Sequence, residues 1–302
     1  MGQGSAHIAF IPLRSALTIS HRMREVAIVG AGELGGLTAH ALARRNVAAV
    51  VRLIDDGRRV AEGKALDISQ AAPVEGFSAT VIGSTDLSTA AGASVVVIAD
   101  KAGGDPWQGE DALTLVRRLN AMAPRALFVC ADTPHRELVD RCVGELHISR
   151  SRILGSASEA LVAAATAVVA LELDLSPRDV ALSILGVPPR QIVIAWENAA
   201  VAGFALSGMI TEPARRRMAQ RIGALWPVGP YALAAAAGKV VEALIGYSRR
   251  PVTCFVAPDD RAGARTRTAA LPVRVGPDGL VEVVMPALNV VERVALDNAI
   301  LL

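Results

Sequence analysis

The stretch REVAIVGAGELGGLTAHALARRN, residues 24–46, decides how the first half of this chain folds. Its opening part, REVAIVG (24–30), is a short and mainly apolar run that is typical of a strand, whereas LGGLTAHALARRN (34–46) has apolar residues at helical spacing. The glycine-rich run GAGELG joins the two segments. The stretch therefore predicts a strand, a tight turn and a helix that starts directly after the turn.

The alternation of strand and helix continues through the first half of the chain. Further strands are predicted at AAVVRLID (48–55), FSATVIG (77–83), SVVVIAD (94–100) and RALFVCA (125–131). Near-continuous apolar strands separated by helical segments are typical of a parallel sheet that is buried on both faces. We therefore predict an α/β fold for residues 23–150, with a doubly wound parallel sheet of the Rossmann type.

The pattern changes after RILG (152–155), and a second domain of the α+β class is predicted for residues 151–302. Its expected elements are a long alanine-rich helix at 157–173, a strand pair around the break PPRQ (188–191), helices at 211–225 and 230–246, and strands at 251–257, 269–275 and 280–284. The prolines of the break fix the backbone, so a rigid turn between two strands with Arg190 facing water is expected there.

Composition places the chain among ordinary globular proteins. Its 302 residues suit two domains, and with 52% hydrophobic residues, 20% charged residues and a net charge of +2 they indicate neither a nucleic-acid partner nor an anionic membrane. No apolar run is long enough for a membrane span. The cysteines Cys130, Cys142 and Cys254 lack C-x-x-C spacing, so no disulfide framework or metal site is predicted and a cytoplasmic location is expected.

Residues 1–22 precede the first predicted strand and are expected to form an N-terminal extension. They contain two arginines, no acidic residue and only a weak apolar stretch. The charged start and the cleavage site of a secretory signal are missing. We expect a loose tail or an upstream start.

The glycines of the first turn, Gly30, Gly32 and Gly35, have the spacing of a dinucleotide-binding loop. In such a loop the first glycine permits the tight turn, the second lets the backbone approach a pyrophosphate, and the third lets helix and strand pack closely. The N-terminus of the helix favours the phosphate charge. The alternative is a set of packing glycines with no ligand.

An acidic residue, Asp55, ends the second predicted strand about twenty residues after the last glycine. A carboxylate in that place can accept hydrogen bonds from a ribose 2'-hydroxyl and repels a 2'-phosphate. NAD is therefore the predicted cofactor, although Arg58 and Arg59 leave some room for NADP. The predicted cofactor-binding residues are Gly30, Gly32, Glu33, Leu34, Gly35, Asp55 and Ala99.

The run EGKALDISQAAPVEGFSATVIG (62–83) resembles the lactate/malate dehydrogenase family, in particular its malate dehydrogenase branch. The resemblance continues through RILGS (152–156), VVEAL (240–244) and LPVRVGPDGLVEVVMPALN (271–289). It implies a Rossmann domain followed by a substrate domain, NAD as cofactor, and a homo-oligomer that is a dimer or a tetramer.

The family's reaction is hydride exchange between nicotinamide and a 2-hydroxy or 2-keto acid. It needs a cation for the substrate carboxylate, a donor that polarises the carbonyl, and a general acid backed by a carboxylate. At the positions where the resemblance implies these groups and an asparagine, the chain has uncharged residues instead. They are Gly103 or Gly104, Gly109, Thr133, Leu161, Ala164 and, in place of the catalytic histidine, Pro188.

Two further observations point to a degenerate active site. All five histidines precede residue 150, so the predicted substrate domain contains none. The C-terminal helix of the family is also expected to be longer than the segment that ends at Leu302, which would remove one wall of the substrate site.

Other residues could replace the missing groups, because ligands of open α/β sheets sit beyond the carboxyl ends of the strands. His135 and Asp132 follow one such strand and could form an acid/base couple. The alternative is a helix start in which Thr133 is the N-cap, Pro134 takes the first helical position and His135 is solvated. Lys101 follows a neighbouring strand, where it could bind a substrate carboxylate or relay a proton; the alternative is a solvated loop lysine.

Two functions stay open at this point. The first is an NAD(H)-binding pseudoenzyme of the dehydrogenase family, which acts as a binding, regulatory or partner subunit. The second is an active NAD-dependent oxidoreductase with a rebuilt pocket, which acts on a different carbonyl or hydroxyl compound. The sequence does not identify the small-molecule ligand in either case.

Overall fold

The computed structural model describes residues 25–57, 59–246, 248–259 and 266–301. The extension predicted for residues 1–22 therefore lies outside the described residues. The first half of the chain alternates strands and helices: β1 Glu25–Val29, α1 Glu33–Arg44, β2 Val50–Ile54, α2 Val60–Glu75, β3 Thr80–Ser84, β4 Val95–Ile98, α3 Gly109–Met122, β5 Leu127–Cys130 and α4 His135–Gly144.

The strands of the first half form a parallel sheet in the order β3-β2-β1-β4-β5, and β6 (Ile153–Gly155) extends it beside β5. This order is that of a doubly wound dinucleotide-binding fold, in which the chain reverses direction across the sheet between β1 and β4. The predicted Rossmann fold is confirmed.

Both faces of this sheet are buried, as the near-continuous apolar strands predict. Along β1, Val26 and Ile28 pack into one hydrophobic cluster, whereas Ala27 and Val29 pack into another. Successive side chains of a strand point to opposite faces, so the two clusters lie on opposite sides of the sheet. The helices therefore cover the sheet from both sides.

The second half contributes helices and mainly antiparallel strands: α5 Ala157–Leu173, β7 Val180–Ala181, β8 Ile184–Val187, β9 Gln191–Ile194, β10 Ala200–Val201, β11 Phe204–Ala205, α6 Glu212–Gly223, α7 Pro230–Ile245, β12 Val252–Val256, β13 Ala269–Gly276, β14 Gly279–Val283 and α8 Val290–Ile300. Strand β12 pairs antiparallel with β6, and the sheet continues through β13, β8 and β9. The strands β11, β10 and β7 form a small separate sheet. The domain division near residue 150 stays a prediction, since one sheet runs across it.

The break PPRQ forms the turn between β8 and β9, as predicted. The two strands pair antiparallel with Val187 opposite Gln191, so residues 188–190 make a short hairpin turn. Pro188 is buried, whereas Pro189 and Arg190 are exposed. The turn therefore combines a buried apolar base with a solvated arginine.

The first strand–turn–helix unit can pack closely only because residue 35 is a glycine and has no side chain. A Cβ there would lie 1.9 Å from the carbonyl oxygen of Gly30. We expect Gly35→Ala to lower the free energy of unfolding by about 2 kcal/mol or more, because overpacking against rigid backbone is costly. Urea denaturation measures this change.

A matched control is Gly63→Ala in α2, where a Cβ would have no neighbour within 4 Å. Alanine loses less conformational freedom than glycine in a helix, so a gain of about 0.5 to 1 kcal/mol is expected. Equal effects of the two substitutions would contradict the close packing of α1 on β1.

Candidate functional site

The turn between β1 and α1 brings the chain back on itself at the carboxyl edge of the sheet. Gly30 has φ +107°, a left-handed conformation that favours glycine, and its N–H donates to the Ile54 carbonyl at 2.8 Å. A Cβ on Gly32 would lie 2.2 Å from Oδ2 of Asp100. The second glycine of the loop therefore permits a close approach, and in this structure the approaching group is a carboxylate of the chain itself.

Asp55 lies directly after β2 and is only 7% exposed. Its carboxylate accepts backbone N–H bonds from Ala31 at 2.8 Å, from Gly57 at 2.8 Å and from Ala102 at 2.9 Å. A carboxylate has about four acceptor positions, so these donors leave about one for a ligand hydroxyl. Asp55 is thus held beside the glycine loop, where the sequence predicts a ribose contact.

Asp100, which follows β4, contacts the first turn of α1 and is 7% exposed. Its Oδ2 accepts the Leu34 N–H at 3.1 Å and its Oδ1 accepts the Gly35 N–H at 2.8 Å. The sequence predicts Asp100 as the last residue of the strand 94–100 but does not predict this contact. The only signal was an acidic residue at the end of an apolar strand that neighbours the glycine loop.

The remaining predicted cofactor residues lie around the same turn. Ala99 is buried and its N–H donates to the Val29 carbonyl at 2.9 Å, while Glu33 is exposed in the first turn of α1. Lys64 donates to the Gly32 carbonyl. Of the two arginines that left room for NADP, Arg59 pairs with Glu62 and the other lies outside the described residues.

These groups have the arrangement that a dinucleotide needs. The tight glycine turn, the N–H groups at the start of α1 and the acid at the end of β2 are the parts that hold a pyrophosphate and a ribose. In the described conformation, the N–H groups of Leu34 and Gly35 already donate to Asp100. The donors fit the cofactor, and they are engaged by an internal anion.

His135 is completely buried, with 0% of its surface exposed. Its Nδ1 accepts the Asp132 N–H at 3.1 Å, so the neutral ring carries its proton on Nε2, which has no hydrogen-bond partner among the described residues. Burial lowers the pKa of His135 from 6.5 to about 4, against smaller raising effects of the Trp107 backbone and of Asp100. The ring is therefore neutral at pH 7, and the alternative of a solvated histidine is wrong.

The carboxylate of Asp132 binds its own neighbour. It accepts the Thr133 N–H at 2.7 Å and contacts the Thr133 hydroxyl at 3.4 Å. Burial raises the pKa of Asp132, and the hydrogen bonds from Thr133 oppose that change. Asp132 thus reaches His135 through its backbone N–H.

The start of α4 also differs from the prediction. Pro134 occupies the N-cap position, without a side-chain cap, and the helix begins at His135. Thr133 is therefore not the N-cap, and Pro134 does not take the first helical position. The structure assigns Thr133 to a turn with Asp132, which a helix-start pattern alone does not distinguish from a cap.

Lys101 lies over the ring of Trp107, with Nζ 4.4 Å from the ring centroid, and is 3.8 Å from a carboxylate oxygen of Asp111. Trp107 itself is partly buried against the hydrophobic cluster under β4 and β5. An isolated bridge between Asp100 and Pro106 closes the loop at its base. The loop after β4 is therefore folded back and anchored by Trp107.

The positions where the resemblance implies charged substrate groups hold apolar or small residues. Leu161 is 0% exposed and packs in a cluster with Ile184 and Ile194. Pro188 is buried and Ala164 is half-buried, while Gly103 and Gly104 lie exposed in the loop before α3 and Gly109 is the exposed first residue of that helix. Ionisable groups at Leu161 would have to be accommodated inside an aliphatic cluster.

A cavity of about 670 Å³ lies at α5 and α7, away from the glycine loop. Glu159 lines it, is 4% exposed, pairs with Lys239 and accepts the Thr253 N–H at 2.6 Å. Sequence reasoning did not identify this pair, because its members are eighty residues apart. Within the described part of the chain, no group of histidine, cysteine and acidic residues could hold a metal ion, and no helix is long and apolar enough to cross a membrane.

Comparisons with known proteins agree with this architecture. Residues 24–124 match the model of the lactate/malate dehydrogenase NAD-binding domain. A malate dehydrogenase of Thermomicrobium roseum is 29% identical over 91% of this chain and 94% of its own length, and an L-lactate dehydrogenase of Allorhizobium ampelinum is 28% identical over 90% and 94%.

Solved structures share the fold. A malate dehydrogenase from Salinibacter ruber matches with a TM-score of 0.82 and 23% identity over 91% of this chain and 93% of that chain. A lactate dehydrogenase from Cryptosporidium parvum, complexed with lactic acid and nicotinamide adenine dinucleotide, also has a TM-score of 0.82, with 23% identity over 91% and 94%. Residues 24–124 thus match the NAD-binding domain of the lactate/malate dehydrogenase family, and over about nine-tenths of its length the chain is similar to both malate and lactate dehydrogenases. Its cofactor is NAD(H).

The role of Asp55 is tested by the effect of NADH on thermal stability. NADH should raise the melting temperature of the native chain, and Asp55→Ala should abolish the shift because the ribose loses its acceptor. Asp56→Ala, at the exposed neighbouring position, is the control and should keep the shift. An undiminished shift in Asp55→Ala would remove the predicted contact.

The buried His135 predicts a pH dependence of stability. The unfolded histidine takes up a proton near pH 6.5 and the folded one near pH 4, so its contribution is present above 6.5 and is lost as the pH falls between these values. From pH 7 to pH 5 the native chain should lose about 2 kcal/mol more than His135→Asn. His147→Asn, at an exposed position, should resemble the native chain, and parallel pH curves for all three would contradict the burial effect.

Proposed function

We propose that this chain binds NAD(H) and does not carry out hydride exchange on malate or lactate, so that it acts as a binding, regulatory or partner subunit. The observation that carries the proposal is at the β8–β9 turn. Where the resemblance implies the catalytic histidine, the chain has the buried Pro188, and its last histidine is His147. No imidazole of the second half can replace the missing proton donor.

The other positions support the same conclusion. Leu161 and Ala164, which the resemblance places where an aspartate and a carboxylate-binding arginine belong, carry no charge, and Leu161 belongs to the aliphatic core. Gly109 offers no side chain to polarise a carbonyl. Loss of one general acid slows a reaction by about 10²-fold to 10⁴-fold, and here the acid, its carboxylate and both arginines are absent together.

The proposal also covers the oligomeric state of the chain and its location in the cell. We propose a homo-oligomer, dimer or tetramer, as the family resemblance implies. We also propose a cytoplasmic location, which is supported by three cysteines that are buried and free of disulfides.

A second candidate function is an active oxidoreductase with a rebuilt pocket. The feature that favours it is the loop after β4, where Lys101 lies against Trp107 at the edge where a nicotinamide ring would project. A lysine held on an aromatic ring is a cation in a partly apolar setting. Its ammonium group could donate a hydrogen bond to a carbonyl or hydroxyl oxygen of a substrate.

The first proposal predicts no turnover of the family's substrates. Purified protein with NADH and oxaloacetate, or with NADH and pyruvate, should show no loss of NADH absorbance above background, because no residue at the expected positions can donate the proton. An authentic malate dehydrogenase in the same assay is the positive control. Robust turnover of either acid would reject the proposal.

A screen of ketones, imines and aldehydes without a carboxylate separates the two candidates. The pseudoenzyme predicts no NADH oxidation with any of them, whereas the rebuilt pocket predicts turnover of at least one. In the second case Lys101→Met should reduce that turnover at least about tenfold, while Arg118→Met, at an exposed position of α3, should leave it unchanged.

A further inference from the structure

Residues 100–102, here called the closing segment, lie across the glycine loop. The Gly32 N–H donates to the Asp100 carbonyl at 3.0 Å, and the Ala102 N–H donates to the Asp55 carboxylate at 2.9 Å. A Cβ on Gly30 would lie only 2.2 Å from the Asp100 carbonyl oxygen. The closing segment thus occupies space that side chains would fill if Gly30 and Gly32 were other residues.

The side chain of Asp100 meets the N-terminus of α1 as an anionic ligand would. Its two carboxylate oxygens take the N–H groups of two successive residues, Leu34 and Gly35. The unpaired N–H groups and the dipole make a helix N-terminus a binding site for phosphate or carboxylate. A dinucleotide pyrophosphate needs these same donors, so Asp100 and the cofactor cannot both use them.

We propose that Asp100 is an internal competitor of the cofactor pyrophosphate, and that NAD(H) binds only when the closing segment withdraws from the glycine loop. The inference rests on the NAD site of the family and holds whether or not the chain catalyses a reaction. It makes Asp100 the residue that sets cofactor affinity.

One movement would open both halves of the cofactor site. Withdrawal of Asp100 frees the N–H groups of Leu34 and Gly35 for the pyrophosphate. Withdrawal of Ala102 removes one of the three backbone donors from Asp55 and frees an acceptor for the ribose. The apparent affinity for NAD(H) is then the intrinsic affinity multiplied by the fraction of molecules that are open.

The charge of Asp100 is what holds the segment closed, because hydrogen bonds to an ionised acceptor are stronger than neutral ones. Asp100→Ala removes both the charge and the acceptors, and Asp100→Asn keeps the shape without the charge. Asp105→Asn is the matched control, since it removes one negative charge from an exposed position of the same loop.

The experiment is a titration with NADH followed by nicotinamide fluorescence, on the native chain and the three variants. Asp100→Ala should bind NADH at least about tenfold more tightly than the native chain, which is the scale of one charge-assisted hydrogen bond. Asp100→Asn should lie between the two, and Asp105→Asn should match the native chain.

Thermal unfolding gives a second readout without nucleotide. Asp100→Ala should melt at a lower temperature than the native chain when no ligand is present, and inorganic pyrophosphate should stabilise it more than it stabilises the native chain. Unchanged or weaker NADH binding in both Asp100 variants would overturn the inference, and if Asp100→Ala does not fold, Asp100→Asn decides alone. Turnover of an acid substrate would reject the proposed lack of activity but leave this result untouched.

Discussion

The close contact between the start of α1 and the end of β1 is the constraint on which the site depends. Gly35 lies so near the Gly30 carbonyl that any side chain would collide with it. This contact fixes the first turn of α1 over the carboxyl edge of the sheet, and its N–H groups then point to the space beside β4. The position of the anion-binding donors is therefore a consequence of helix–strand packing.

Two buried carboxylates complete that edge, and both are satisfied by backbone donors. Asp55 and Asp100 take five N–H groups in all, from the glycine loop, the first turn of α1 and the loops after β2 and β4. Burying a charge is costly unless it is hydrogen-bonded. The two acids therefore act as cross-links between loops that are distant in sequence. A ligand that binds at this edge must replace hydrogen bonds that the two carboxylates already accept.

The sequence was sufficient for features that depend on neighbouring residues. The glycine spacing and the apolar strands predicted the first unit and the doubly wound sheet, because turn chemistry and period are local. Two features of the site could not be predicted from the sequence. His135 is buried near the backbone of Trp107, which belongs to a different loop, and the contact of Asp100 joins residues that are 65 positions apart. Neither relation leaves a pattern within a short window of sequence.

The packing of Leu161 has a consequence for how such a chain can change over time. Its side chain lies in a cluster with Ile184 and Ile194, so an aspartate at 161 would place a desolvated charge among aliphatic groups. A single substitution of this kind would lower the free energy of unfolding, whatever its effect on catalysis. An acidic residue at 161 would therefore require further replacements among its neighbours at the same time, so the residues of this cluster constrain one another.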